Sequence, residues 1–330
     1  MPRRTRPTIN QVAEAAGVTK SSVSRAFTRP EMLSEETVRK ISAAAERLGY
    51  VPNRTARALS TGRHGNIALI VPDVANPFFP PLIRAAQSEA DRSDYCVFLG
   101  NSDEMPKQED KLIGRFGGQV EGFLLVSSRL TDEQIVEHAA RRPVVLINRD
   151  VEGIPRVLID SASGVTEAVE HLASLGHKKL VYVGGPRGSW SNKQRRAAVR
   201  RSARALGLEV GVIANEYPAF EAGRRVVPNV LASGATAVIA FDDLTAQGML
   251  AELLDRGVSV PEELSVVGCD DVLGATTYPS LTTVSNRSIE AGKTALTLLV
   301  DALENQAAPD VRYVLNTNIV VRNTTGKART

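Results

Sequence analysis

Cysteine is nearly absent from this sequence. Of its 330 residues only Cys96 and Cys269 are cysteines, far apart and each inside an apolar run that reads as a buried strand. This excludes a disulfide framework and a Cys-based metal site, and it fits a reducing compartment, the cytoplasm. Histidine is scarce too: His64, His138, His171 and His177 are scattered without HExxH or zinc spacing, so neither metal nor other cofactor is expected. No stretch of 18 uncharged apolar residues occurs, which excludes a membrane-spanning helix. The basic start MPRRTRPTINQ is not followed by the apolar segment of a secretory signal. Phosphate-binding and catalytic loops are missing as well. Gly184-Gly185 does not extend to GxGxxG, and neither GxxxxGK[ST] nor GxSxG is found. Glu262-Glu263 reads as a helix start after Pro261, and Asp270-Asp271 makes a poor acid/base pair, so an enzyme is not expected.

Charge is present but unevenly spread. The net charge is +3, yet residues 1–64 alone hold 12 Lys+Arg against 5 Asp+Glu, which is +7 and leaves −4 for the remainder. A small basic block beside a mildly acidic body points to a polyanion-binding module on a larger chassis. The length suits two or three domains.

The first block, residues 1–50, is helical by pattern. Thr8 and Gln11 form a capping box, after which Ile9, Val12, Ala13 and Ala16 recur at helical spacing. Gly17 stops this helix and Thr19 caps a second that runs to about Phe27. Ser34 caps a third, with Glu35 and Glu36 at the end where the helix dipole favours acids. Val38, Ile41, Ala45 and Leu48 supply its core stripe, and Gly49 ends it. A tight turn between the first two helices makes a helix-turn-helix unit. If the second helix spans Thr19 to Phe27, then Val23, Ala26 and Phe27 face the small core. Lys20, Ser21, Ser24 and Arg25 share the opposite face. Residues 51–64 form a connector that carries Pro52, Gly62 and too few apolar residues for stability on its own.

From residue 65 to 330 the pattern changes. Apolar runs at 67–71, 96–100, 122–126, 144–148, 157–160, 180–185, 237–241 and 264–269 alternate with amphipathic stretches. Near-continuous apolar strands separated by helices indicate parallel sheets covered on both faces. Eight such units suit two doubly wound lobes with a seam near Asp160. The competing architecture is a closed eight-fold barrel.

The stretch from TINQVAEAAGVTKSSVSRAF to ERLGYVPNRTARAL resembles the N-terminal signature of the lactose/galactose repressor (LacI/GalR) family. The resemblance continues through ANPFF at Ala75–Phe79, LGHKKL at Leu175–Leu180, the GP and arginine around Gly185–Arg195, and GCDD at Gly268–Asp271. It implies a transcription regulator with a helix-turn-helix head, a hinge helix and a core of two periplasmic-binding-protein-like lobes. The expected lobe boundaries are 65–160 with 288–317, and 161–287 with 318–330. The expected partners are double-stranded DNA bearing a pseudo-palindromic site, a small polar effector, and a second copy of the chain. No leucine heptad follows Val321, so a dimer is expected rather than a tail-tied tetramer.

Matched to the family motif, Lys20, Ser21 and Arg25 take the base-reading positions of a recognition helix in the major groove. Thr8, Thr19, Ser22 and the Arg3/Arg4/Arg6 run suit phosphate contacts, which position without specifying. Leu59 aligns with the family's minor-groove leucine, and Asn53, Ala56 and Arg57 belong to the same DNA-facing segment. Two such leucines in a dimer would wedge between base pairs.

Ligands of open α/β sheets bind at the carboxyl ends of strands. The polar and aromatic residues following the apolar runs are therefore the effector candidates: Phe78, Phe79, Arg149, Asp160, Ser189, Trp190, Ser191, Arg195, Asp243 and Asp270. Arg195 and Asp270 align with the family's effector-binding arginine and aspartate. Tyr217 or Phe220 is a further candidate. Planar guanidinium and carboxylate groups fork to adjacent hydroxyls, and aromatic faces cover the apolar side of a sugar ring. Sugar, sugar phosphate and nucleoside all stay open, with free carbohydrate favoured. An exported solute-binding protein is the rival class, but it lacks a use for the basic head.

Arg25 can bind guanine O6 and N7 bidentately. Arg25→Ala should therefore relax discrimination at one base position per half-site by roughly 1–3 kcal/mol, read out on a panel of operator variants. Equal weakening on every sequence would mark a phosphate contact instead.

Overall fold

The computed structural model describes residues 7–51, 64–215, 217–305 and 310–329. The hinge candidates Asn53, Ala56, Arg57 and Leu59, with Arg3, Arg4 and Arg6, lie outside the described residues. The chain divides into two compact units, Met1–Gly65 and Asn66–Thr330.

Among its described residues the first unit is a three-helix bundle. Helix α1 (Ile9–Ala16) starts at the Thr8/Gln11 capping box and ends at Gly17 in the left-handed conformation. Thr19 caps α2 (Lys20–Thr28) by accepting from the Ser22 N–H. Ser34 caps α3 (Glu35–Leu48), which Gly49 terminates with φ +66°. A 3-10 turn, Pro30–Met32, joins the last two. Val12, Ala13, Val23, Ile41, Ala44 and Ala45 form the core, with Ala26, Phe27 and Tyr50 packed against it. Helices this short are unstable alone. The shared core holds them, and it leaves the other face of α2 to solvent.

The second unit holds two open six-stranded sheets, which rules out the closed barrel. The first is ordered β11-β5-β4-β3-β1-β2, from β1 (Asn66–Val71), β2 (Cys96–Asn101), β3 (Phe123–Val126), β4 (Val144–Ile147), β5 (Arg156–Asp160) and β11 (Arg312–Asn316), all paired parallel. The second is ordered β12-β10-β9-β8-β6-β7, from β6 (Lys179–Val183), β7 (Glu209–Ile213), β8 (Ala237–Ala240), β9 (Ser265–Cys269), β10 (Thr282–Val284) and β12 (Ile319–Val320). Only β12 runs antiparallel.

Helices cover both faces of each sheet. In the N-lobe, α4 (Phe79–Arg92) and α11 (Ser288–Asn305) pack on one face, while α5 (Pro106–Phe116) and α6 (Asp132–Ala139) pack on the other. In the C-lobe, α7 (Ser161–Ser174) and α8 (Trp190–Ala205) lie opposite α9 (Phe220–Ala232) and α10 (Asp243–Asp255). Successive strand residues alternate between the two faces. Leu180 and Tyr182 therefore enter one cluster, and Val181 and Val183 the other.

Strands β7, β10, β11 and β12 have no counterpart among the sequence's apolar runs. Three of them are sheet edges in which Leu315 alone is buried, and β10 is three residues long with two threonines. Cys96 is a correction of the same kind. It was expected to be buried, but β2 is an edge strand and Cys96 is exposed, whereas Cys269 is buried.

The chain passes between lobes three times, after Asp160, after Val284 and after Asn316. These crossings are tied to one another. The Thr317 hydroxyl donates to the Asp160 carbonyl at 2.8 Å, and the Ser163 hydroxyl donates to the Thr317 carbonyl at 3.0 Å. Ser285 donates its hydroxyl to the Asn318 side chain at 3.0 Å. The crossings thus form a short, hydrogen-bonded bundle between the lobes.

Two glycines let α9 and α10 touch backbone to backbone. A methyl at Gly223 would strike the Thr245 carbonyl, and one at Gly248 the Phe220 carbonyl. Gly248→Ala should cost about 1–3 kcal/mol or more, since a packed backbone cannot give way cheaply. A thermal melt checks this, and an unchanged midpoint would show that the helices can separate freely.

Candidate functional site

Two places concentrate chemistry, one in each unit. In the head, Lys20, Ser21, Ser24 and Arg25 are all exposed on α2, on the side away from Val23. The Thr19 Oγ1 lies 2.8 Å from Ser21 Oγ and 2.9 Å from Ser22 Oγ, and it accepts from the Ser22 N–H at 3.1 Å. Three hydroxyls therefore cluster at the helix N-terminus, where free N–H groups favour anions. No acid stands in the first turn of α1 or α2, whereas α3 carries Glu35 and Glu36 there. Thr8 is exposed and engaged in its capping box.

In the core, the carboxyl ends of the two sheets face a cleft. Its N-lobe wall is Asn76, Phe78, Phe79, Glu104, Ser127, Arg129 and Asn148. Its C-lobe wall is Ser189, Ser191, Arg195, Pro218, Phe241, Asp242 and Asp270. Parallel pairing makes this assembly unavoidable, because every strand end carrying one of these loops emerges on the same edge.

Arg195 is the centre of the C-lobe wall. It is 6% exposed, donates Nη2–H to Asp270 Oδ1 at 2.7 Å and Nη1–H to the Phe241 carbonyl, and stands 5.0 Å from the Phe241 ring centroid. Burial opposes its charge, but Asp270 holds its pKa above the ordinary arginine value. Burial pushes the Asp270 carboxyl up while Arg195 pulls it back. The Arg195 Nε is buried with no hydrogen-bond partner among the described residues, which leaves it a donor for a ligand or a water.

The loop before Arg195 is tied down by hydrogen bonds. Asn192 accepts from Tyr182 Oη–H and the Gly185 N–H, both at 3.0 Å, and donates to the Gly185 and Pro186 carbonyls. Gly185 must be glycine, since a methyl there would meet the Phe241 ring at 2.5 Å.

The N-lobe wall has its own guanidinium. Arg129 donates Nε–H to Glu104 at 2.6 Å and Nη1–H to the Ser127 carbonyl at 2.6 Å. Its backbone N–H donates at 2.8 Å to Glu109, a buried acid whose pKa burial pushes up against hydrogen bonds from Ser128 and Arg129. Ser127, Asn148 and Asp270 each follow a strand immediately and have φ of 48°, 54° and 107°. Side chains rarely adopt this region, and such strain gathers at binding sites. Across the cleft, Asn76 Nδ2–H donates to Asp242 Oδ2 at 3.0 Å, a direct bond between lobes.

Of the effector candidates, the cleft brings together Phe78, Phe79, Ser189, Ser191, Arg195 and Asp270. Arg149, Asp160, Trp190 and Asp243 are not on its walls. Arg149 donates to the Leu130 carbonyl and to Asp132. Asp160 caps α7 at the first lobe crossing, and Trp190 is the half-buried first residue of α8. Asp243 accepts from the Thr283 hydroxyl and the Val272 and Leu273 N–H groups. Burial, with nearby Asp270, pushes its carboxyl up to about 8. Tyr217 and Phe220 are 63% and 36% exposed, and Pro218 between them lines the cleft.

In two cases the wall residue is the neighbour one position earlier: Asn148 rather than Arg149, and Asp242 rather than Asp243. The rule of polar residues after apolar runs contains both, but the positive φ at Asn148 turns the next side chain aside. Asp242 accepts from Asn76 as the N-cap of α10, which places Asp243 inside the helix. Glu104 and Arg129 also stand just after apolar runs, at 96–100 and 122–126, but their pairing across twenty-five residues leaves no sequence signal.

A helix-turn-helix head joined to a two-lobed core with a polar cleft defines a ligand-responsive transcription regulator. Comparison with known proteins agrees. Residues 8–53 match the bacterial regulatory proteins of the lacI family, and residues 169–325 match the periplasmic binding protein-like domain. The HTH-type transcriptional repressor CytR of Escherichia coli (strain K12) is 31% identical, over 98% of this chain and 97% of the relative. The lac repressor dimer bound to operator and the anti-inducer ONPF superposes with a TM-score of 0.87 at 25% identity, covering 98% of this chain and 100% of that one. The transcriptional regulator CelR–cellobiose complex has a TM-score of 0.72 at 28% identity, covering 97% and 100%. The chain belongs to the LacI family of bacterial regulatory proteins, and it is a DNA-binding transcriptional regulator, not an enzyme.

Removing one member of a buried ion pair strands the other. Arg195→Ala should destabilise the core by roughly 3–5 kcal/mol, whereas Ser189→Ala, at the same wall, should cost no more than a helix cap, about 1 kcal/mol. Denaturant titration separates the two, and equal losses would mean that Asp270 finds another partner.

Proposed function

We propose that the chain is a homodimeric cytoplasmic repressor that grips a pseudo-palindromic operator with its two heads and responds to an uncharged, polyhydroxylated effector, a free carbohydrate, held in the core cleft. The observation that carries the ligand class is charge pairing. Each guanidinium on the walls already has a carboxylate, Arg129 with Glu104 and Arg195 with Asp270, and Asp242 adds a further acid. A phosphate ester would meet more negative than positive charge there. A polyol fits better: the Arg195 Nε and the Asn76, Asn148 and serine side chains supply donors and acceptors, and Phe78, Phe79 and Phe241 supply apolar faces. The cellobiose held by CelR and the operator held by the lac repressor dimer support the same reading. Lys20, Ser21 and Arg25 then read bases while Thr8, Thr19 and Ser22 hold phosphates, with Leu59 and its neighbours acting in the hinge. Among the described residues no helix is long and apolar enough to cross a membrane.

The walls enclose about 40 Å³ of free space, well short of the roughly 300–1,000 Å³ of a small-molecule site. A sugar therefore enters only as the lobes part, at the expense of the Asn76–Asp242 bond. Lobe angle is how the ligand reaches the heads.

A thermal-shift panel of neutral sugars, sugar phosphates and nucleosides tests the ligand class. At a hundredfold excess over Kd a true effector adds about 2.7 kcal/mol to stability. A neutral sugar should raise the midpoint and its phosphate ester should not. Stabilisation by the phosphorylated forms alone would overturn the assignment.

A further inference from the structure

Helix α8 carries a second feature besides Arg195. Its sixteen residues include Lys193, Arg195, Arg196, Arg200, Arg201 and Arg204 and no acid. Residues 65–330 hold 28 Lys+Arg against 32 Asp+Glu, so with this helix removed 22 cations face the same 32 acids. Positive charge is concentrated on one element of an otherwise acidic core.

Arg195 is buried in the cleft wall, and the other five are exposed. Lys193, Arg196, Arg200 and Arg204 are spaced i, i+3, i+7 and i+11, which puts them on one stripe about 16 Å long with Arg201 beside it. Ala198, Val199, Ser202 and Ala203 are buried on the opposite side. None of the five exposed cations enters an ion pair among the described residues. Local physics disfavours the arrangement. Like charges four apart, at Arg196 and Arg200 and again at Arg200 and Arg204, repel along a helix, and Lys193 sits near the positive end of the dipole. Tertiary packing holds the helix in spite of its charges, and the array is left open to a partner of opposite sign.

Helix α8 packs on the opposite face of the C-lobe sheet from α9 and α10.

We propose that the exposed stripe of α8 is a second polyanion-binding surface, which lies along the phosphate backbone of duplex DNA without reading its sequence. A duplex carries one negative charge per roughly 1.7 Å of axis, so a stripe of this length runs beside about nine or ten of them. Four of the five side chains are arginine, whose fork meets phosphate oxygens in pairs. A protein already delivered to DNA by its head presents this surface to neighbouring duplex at high local concentration.

The test uses the full-length protein and a short random-sequence duplex across a salt series. The triple variant Arg196→Ala, Arg200→Ala, Arg204→Ala is compared with Lys111→Ala, Lys178→Ala, Lys327→Ala, which removes the same charge from scattered exposed positions. The head is intact in both. Each lost phosphate contact should flatten the slope of log affinity against log salt by about 0.9. The α8 variant should therefore lose two to three units of slope and at least tenfold in low-salt affinity, with an unchanged circular-dichroism melt, while the scattered variant stays near wild type. If the two variants bind duplex alike, the proposal fails. It fails equally if both bind duplex like wild type while polyglutamate loses binding only to the α8 variant, since the surface would then serve an acidic protein.

Discussion

The core is organised around one guanidinium. Arg195 reaches from α8 to the end of β9 through Asp270 and to the end of β8 through the Phe241 carbonyl. Taking both charges out of water is costly, and a buried pair of this kind adds little net stability over an apolar pair. Its value lies in geometry. It fixes three loops at the cleft, holds a charged donor ready without solvent, and keeps Nε unpaired. The glycine at 185, the Asn192 network and the strained φ at Asp270 all serve to bring these groups to one point.

On the proposed reading, the rest of the core translates events at that point into lobe movement. Asn76 and Asp242 bond across the cleft, and at the far side the three crossing strands are knotted by Thr317, Ser163, Asp160 and the Ser285–Asn318 pair. On the same reading one contact breaks as a ligand enters, and the other set stays closed. That is the arrangement of a hinge, in which a few residues absorb the rotation while the sheets move as rigid bodies. The free energy a ligand contributes to lobe separation bounds what it can do to DNA affinity.

The legibility of the sequence followed physical locality. The head was readable almost residue by residue, because caps, glycine stops and apolar spacing act within a few positions. The capping box at Thr8 and the stops at Gly17 and Gly49 stand where the pattern indicates. The two-lobed architecture was readable from buried strands, whose apolar runs are continuous. Edge strands were not, because solvent on one side removes that signal, as at β7 and β11; on β2, the exposure of Cys96 went unread for the same reason. The cleft was half readable. Arg195 and Asp270 came from their place after apolar runs together with the family resemblance, and Phe78 and Phe79 from their position after β1. Arg129 with Glu104 was invisible, because that pair forms only when two loops meet in space. Arg149 and Asp243 look like cleft residues in one dimension, and backbone direction assigns the wall to Asn148 and Asp242.

The central claim is that the cleft and the operator share one equilibrium. Thermodynamic linkage makes this quantitative: the factor by which a bound effector changes operator affinity must equal the factor by which bound operator changes effector affinity. Titrating the operator with and without saturating sugar, and the sugar with and without operator, measures both. The account predicts two equal factors, each of about fivefold or more. A sugar that fills the cleft while both factors stay at unity would contradict it.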